Sequence, residues 1–295
     1  METGFVQNGA IRLHYRTSGG QAAARPMLLF LHGFPEFSGA WDVMLAHFAP
    51  RFFCVAPDLR GFGESDKPPE VSAYRPAALM SDIAAIIRHF DRDKAIIIAH
   101  DWGGALAWSF AARHAAMVEK LIILNAPHAV PFARALAHDA AQQRASQYML
   151  KLRMPGMAAR LRAHDAQALA AMFNHPVDGH CVLPPALLAT YRRNWQQEGA
   201  LEAMLNYYIV TPLLPPAPDN AGAAALHLDA TQFQVHVPTL VIWGMKDQAL
   251  LPVLLEGLDA LVSDLRIEKL AGAGHFCAHE APEQVAALIE GFVGG

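Results

Sequence analysis

Cysteine is scarce in this chain: Cys54, Cys181 and Cys277 are the three in 295 residues. They are odd in number, far apart and without metal or redox spacing. That excludes a disulfide framework and predicts a reducing, cytoplasmic setting. No apolar run approaches the roughly 20 residues of a membrane span. The opening stretch METGFVQNGAIRLHY lacks the charged and apolar regions of a signal peptide, so no membrane association is expected. Basic residues are not in excess, at 23 against 27 acidic for a net charge of −4. With no basic stripe or interleaved aromatics, nucleic acid is not an expected partner. The 15 histidines are scattered without HExxH-type spacing, and neither a metal nor a cofactor is expected.

What is present is apolar material, at 53% hydrophobic residues. That is enough for one large α/β core and an inserted subdomain. Short apolar runs read as strands at Ile11–Thr17, Met27–Leu31, Phe52–Ala56, Lys94–Ala99 and Lys120–Leu124. Pro76–Asp91 has helical spacing of Leu79, Ile83, Ile86, Ile87 and Phe90. From about His128 to Leu226 the chain is Ala-rich, helical in pattern and without a convincing strand. Strand patterns resume at Pro238–Trp243 and Asp264–Leu270, and a closing helix follows Pro282. Strands alternating with helices predict an α/β fold, a mostly parallel sheet with helices on both faces. The expected division is a core in two parts, 1–127 and 229–295, around a helical cap at 128–228.

The most telling residue is Asp101. The strand KAIIIA runs into Ala99-His100-Asp101-Trp102-Gly103-Gly104, and a helix follows. Small-x-nucleophile-x-small between strand and helix is the nucleophile elbow, a tight turn that presents one side chain above the sheet. A serine there suits acyl carbons. An aspartate is an anion at neutral pH and suits displacement at a saturated carbon, because the ester it forms can be hydrolysed later. An elbow nucleophile is followed in chain order by an acid and a histidine. Asp247 in WGMKDQALLP and His275 in GAGHFCAHEAP meet that order, each after the C-terminal end of a strand, where ligands bind in open parallel sheets. The loop His32-Gly33-Phe34-Pro35 is the expected other half of the site. Gly33 permits the turn, Phe34-Pro35 is a candidate cis peptide, and the Phe34 and Trp102 amides are candidate oxyanion donors.

HGFPE, DLRGFGES, HDWGG, LNAPH, WGMKD and GAGHF together resemble the α/β-hydrolase-fold epoxide hydrolases, a family that borders the haloalkane and haloacetate dehalogenases. The similarity covers both core segments. It implies an epoxide hydrolase that forms an alkyl-enzyme ester on Asp101 and hydrolyses it with water activated by His275 and Asp247. It also implies two cap tyrosines over the epoxide oxygen. Tyr148, in YMLKLRMPG, and Tyr208, in LNYY, match those positions, although Leu152 and Arg153 replace the family's Phe-Gln and Tyr207 replaces the commoner Trp. Glu36 matches a family residue associated with the hydrolytic water. The implied partners are an apolar epoxide and water, with the protein a monomer or homodimer. Trp195, Met149, Met172, Phe173 and Leu205 are candidate pocket liners, and Tyr191 is expected to be structural. A dehalogenase using the same aspartate, and a non-catalytic small-molecule-binding protein of this fold, are the alternatives.

Overall fold

The computed structural model describes residues 1–22 and 24–294. Eight strands form one sheet: β1 (Glu2–Asn8), β2 (Ile11–Ser18), β3 (Met27–Leu31), β4 (Phe53–Pro57), β5 (Ala95–His100), β6 (Val118–Leu124), β7 (Thr239–Gly244) and β8 (Leu265–Leu270). Their spatial order is β1-β2-β4-β3-β5-β6-β7-β8. β2 is antiparallel to β1 and β4, and every pairing from β4 to β8 is parallel. The predicted strands lie within a residue or two of these. β1 is an addition, and its signal is Asn8-Gly9. Asn8 pairs with Ile11 across a two-residue loop whose first residue, Gly9, has φ +59°, a conformation that glycine enters freely and that tight hairpins require.

The central strands are apolar on both sides and sort by parity. Leu29, Leu31, Ile97, Ala99, Ile123 and Val241 pack into one core layer. Leu28, Phe30, Ile96, Ile98, Ile122 and Leu240 pack into the other. That is the period of two expected of strands buried on both faces. Helix α1 (Asp42–Phe48) packs in the second layer through Met44, Leu45 and Phe48. Helix α2 (Pro76–His89) joins the first layer through Leu79, Ile83, Ile86 and Ile87, the residues whose spacing predicted it. Helix α3 (Asp101–Arg113) lies in that first layer as well, through Leu106 and Phe110.

Between β6 and β7 come α4 (Ala129–His138), α5 (Ala140–Ala145), α6 (Gln147–Leu152), α7 (Met157–Ala170), α8 (Pro185–Gln196) and α9 (Ala200–Val210). α7 is interrupted where His164, Asp165 and Ala166 take left-handed φ near +53°. Among the side chains that tie these helices to the loops of the sheet are three aromatic ones. Trp195 Nε1 donates to Pro35 O at 2.7 Å, Tyr191 OH to Glu36 Oε1 at 3.2 Å, and Tyr207 OH to Arg60 O at 2.9 Å. After β8, α10 (Cys277–Glu280) and α11 (Pro282–Val293) close the chain, α11 packing beside α1 through Val285 and Ile289. Among the described residues no helix is long and apolar enough to cross a membrane.

The strand order positions the site. β3 lies between β4 and β5, so the chain leaves β3 toward one edge of the sheet and leaves β5 toward the other. The crevice where two such connections diverge is where open α/β sheets bind ligands. The loop after β3 is His32–Pro35, and the residue after β5 is Asp101.

Candidate active site

Asp101 sits at the turn from β5 to α3 with φ +49°. A non-glycine residue held left-handed costs on the order of 1–3 kcal/mol and persists only where its surroundings enforce it. Small neighbours make room for it. A Cβ on Gly33 would lie 2.3 Å from Asp101 Cβ, one on Gly103 would lie 2.5 Å from His32 O, and one on Gly104 would lie 2.3 Å from Ala126 Cβ. The turn also puts the carboxylate at the N-terminus of α3, where the helix dipole favours an anion.

The two carboxylate oxygens have separate partners. Oδ1 accepts from Phe34 N–H at 2.7 Å. Oδ2 lies 3.6 Å from His275 Nε2. Phe34-Pro35 is cis. The Trp102 amide, the other expected oxyanion donor, makes no bond to the carboxylate among the described residues, so one of the two donors is engaged. His32 ties the neighbouring loop in place. Its Nε2 accepts from Leu59 N–H at 3.0 Å, which leaves Nδ1–H to donate to Gly33 O at 2.9 Å. Burial lowers its pKa and favours that neutral form.

His275 Nδ1 lies 2.7 Å from Asp247 Oδ2. Asp247 is buried and fully engaged: Oδ1 accepts from Ala249 N–H and Leu250 N–H at 2.8 and 2.9 Å, and Oδ2 also accepts from Asn125 Nδ2 at 2.8 Å. Burial alone would raise the Asp247 pKa, yet the His275 charge and these donors hold it below the ordinary value. Burial likewise pulls His275 down, but the charges of Asp247 and then Asp101 prevail and bring it to about 9. Asn125 is a residue the sequence reasoning missed. It follows β6 with φ +37°, and its Oδ1 accepts from Gly244 N–H at 2.8 Å. Asparagine tolerates that backbone region, and an asparagine directly after a buried strand was the available signal.

Glu36 is buried beneath the site. Its Oε2 meets His100 Nδ1 at 2.9 Å, and its Oε1 meets His279 Nε2 at 2.9 Å and Tyr191 OH at 3.2 Å. The other ring nitrogen of His100 faces His275 O at 2.9 Å. A carbonyl and a carboxylate both accept, so each His100 nitrogen faces an acceptor. Burial would raise the Glu36 pKa, but hydrogen bonds from His100 and His279 carry it well below the usual carboxylate range. Tyr191, expected to be structural, thus joins His100 and His279 around Glu36. The contact that joins them to Glu36 spans up to 243 positions, which no local pattern encodes.

Above Asp101 lies a cavity of about 270 Å³ lined mainly by apolar groups, among them Leu79, Leu106, Phe132, Met149 and Leu213. Its polar groups include Asp101, Tyr148 and Tyr208. The two tyrosine rings meet edge-on at 6.1 Å, and Tyr208 also contacts Phe34 and Trp102 at 5.2 Å each. Burial raises both phenol pKa values. The Asp101 charge adds to the rise for Tyr148, as do Tyr148 and Asp101 for Tyr208, so both hydroxyls stay protonated. Tyr207 lines the cavity as well, but its hydroxyl donates to Arg60 O. Of the five expected pocket liners only Met149 lines this cavity. Trp195 and Phe173 are buried against the site loops instead, Trp195 on Pro35 O and Phe173 stacked on Phe276 at 4.3 Å. Leu205 is in the core, and Met172 is exposed. Helix phase alone did not say which face of each helix turns to the sheet.

The sequence profile of the alpha/beta hydrolase fold matches residues 26–282. Among curated proteins, epoxide hydrolase 3 of Mus musculus is 32% identical over 284 residues, covering 95% of this chain and 73% of the relative. Epoxide hydrolase 1 of Caenorhabditis elegans is 32% identical over 297 residues, covering 98% and 69%. A solved epoxide hydrolase from metagenomes of hot environments is 37% identical with a TM-score of 0.89, covering 99% of this chain and 98% of that one. The chain belongs to the alpha/beta hydrolase fold family, within its epoxide hydrolases.

Proposed function

We propose that this protein converts an apolar epoxide and water to a vicinal diol through an ester on Asp101. The observation that carries the reading is a carboxylate on the elbow, 3.6 Å from His275, facing a cavity that also holds two protonated tyrosines. Residues 128–228 act as a cap over the core. Substrate enters the cavity, whose size falls just below the range of about 300–1,000 Å³ common for drug-sized ligands and so suits a small epoxide. Tyr148 and Tyr208 donate to the ring oxygen. Ring opening leaves an alkoxide, a poor leaving group, and a positioned acid contributes about 10²–10⁴-fold to such a step. Asp101 Oδ2 attacks the ring carbon from the opposite side, while Oδ1 stays on Phe34 N–H.

Ester formation removes the negative charge of Asp101. That charge helps to raise the His275 pKa before the reaction, so the imidazole becomes a better-poised base only after the first step. His275, held by Asp247, then takes a proton from water, which attacks the Asp101 carbonyl carbon. The resulting oxyanion is stabilised by the Phe34 amide and, as the group turns, by the Trp102 amide. Collapse passes the His275 proton to the departing oxygen and releases the diol, and the acid proton left on Asp101 returns to the tyrosine that protonated the alkoxide. Glu36 keeps His100 and the His275 loop in register behind the hydrolytic water. The free, unpaired thiols of Cys54, Cys181 and Cys277 support a cytoplasmic setting, with the protein a monomer or homodimer.

The test is purified protein with styrene oxide and, separately, 1-bromobutane and fluoroacetate, scoring diol and free halide. Diol without halide is the expected result. Halide without diol would turn the reading to dehalogenation and return the two tyrosines to packing.

A further inference from the structure

Away from the cavity, residues 174–181 (NHPVDGHC) form a small closed loop between α7 and α8. Asn174 and Cys181 bridge in antiparallel fashion, Val182 N–H donates to Phe173 O at 2.8 Å, and His175 N–H donates to His180 O at 2.7 Å. Gly179, at φ +74°, makes the turn back, and its N–H donates to His175 O at 2.9 Å. The backbone therefore sets His175 and His180 opposite each other, with their rings stacked at 5.2 Å, and Asp178 between them. One ligand atom from each of the three lies within 4.8 Å of the others.

We propose that His175, Asp178 and His180 bind one divalent transition ion of the borderline class, zinc first among them. Two imidazoles and one carboxylate suit zinc, nickel or copper, whereas calcium and magnesium seek all-oxygen shells. Bonds of roughly 2.0–2.1 Å at a tetrahedral ion put neighbouring ligand atoms about 3.4 Å apart. His175 Nδ1 and Asp178 Oδ1 are already 3.3 Å apart. His180 Nδ1 is 2.5 Å from the same oxygen, a separation that holds a proton rather than a metal. An ion would displace that proton and open the pair by less than about 1 Å. The side chains of His180 and Asp178 are 61% and 60% exposed, so they turn at little cost.

The other side of His175 is also prepared. Its Nε2 lies 3.6 Å from Glu280 Oε2, the carboxylate that commonly backs a metal-bound imidazole and fixes its orientation. Glu280 in turn accepts from Gly274 N–H and Phe276 N–H, the residues on either side of His275. Pro176 closes the contact, 2.9 Å from where a Gly274 Cβ would stand. A bound ion would thus clip the 174–181 loop onto the segment that carries His275. With Asp178 and His180 exposed, the remaining coordination position would face solvent.

The experiment is a Zn²⁺ titration of the EDTA-treated, desalted full-length protein against a chromophoric chelator, with thermal melts run in parallel. The expected result is one Zn²⁺ per chain with a Kd below about 10 µM, and a melting temperature that rises with zinc. Asp178→Asn and His180→Ala should each weaken binding at least tenfold and remove the thermal shift, while melting normally without metal. His227→Ala, at an exposed histidine elsewhere, should bind as the wild type does. Wild-type protein without stoichiometric binding below about 100 µM, or substituted proteins that bind as tightly as wild type, would overturn the assignment.

Discussion

Asn125→Asp separates the contribution of the Asn125–Asp247 bond from packing. The side chains have the same shape, both tolerate φ +37°, and Oδ1 can still accept from Gly244 N–H. What changes is the atom 2.8 Å from Asp247 Oδ2, from a donor to a second carboxylate oxygen. Two buried carboxylates at that separation do not both ionise; they share a proton. Holding a proton at pH 7 on a group with an ordinary pKa near 4 costs about 4 kcal/mol. The shared O–H···O contact recovers part of that, leaving a destabilisation of about 3–4 kcal/mol at pH 7. The sign of the pH dependence follows. Above about pH 4 the folded variant holds one proton that its unfolded chain has released, so its stability falls by about 1.4 kcal/mol per pH unit relative to wild type. Urea unfolding of both proteins at pH 5 and pH 8 should show the gap widening by up to about 4 kcal/mol. A gap that stays constant across that interval would refute the reasoning, because the two side chains would then not share a proton.

Four further outcomes follow from the site. His275→Gln should accumulate the Asp101 ester, seen as a mass increase equal to the epoxide, whereas Asp101→Asn should form none; normal turnover by either would sink the two-step scheme. Tyr148→Phe and Tyr208→Phe should each slow ester formation by about 10²-fold or more without slowing ester hydrolysis, which single-turnover mass spectrometry separates. Decay of the ester should rise with pH to a plateau with its midpoint below 9, since His275 reaches about 9 only while the Asp101 charge is present; decay independent of pH between 5 and 9 would contradict a histidine base. Gly33→Ala should push Asp101 off Phe34 N–H, because the new Cβ would stand 2.5 Å from Oδ1, and lower kcat/KM by about 10²-fold.

The sequence by itself determined the parts whose cause is local. Strands buried on both faces announce themselves as continuous apolar runs, and the elbow is visible because its turn needs small residues at fixed offsets from Asp101. Asp247 and His275 were legible as well, through chain order and their places after β7 and β8. β1 was passed over although Asn8-Gly9 marks its hairpin. Tertiary structure alone decided the contacts between elements far apart in the chain. Which helix faces turn inward made Met149 a cavity wall and set Trp195 and Phe173 against Pro35 and Phe276 instead. Burial turned His100, His279 and Tyr191 into donors to Glu36, because a charged carboxylate removed from water must collect its hydrogen bonds from whatever the fold brings near. The same rule set Asn125 against Asp247. Periodicity reports which residues are buried. Which buried polar groups meet is fixed only when the sheet is assembled and the helices are laid across its C-terminal edge.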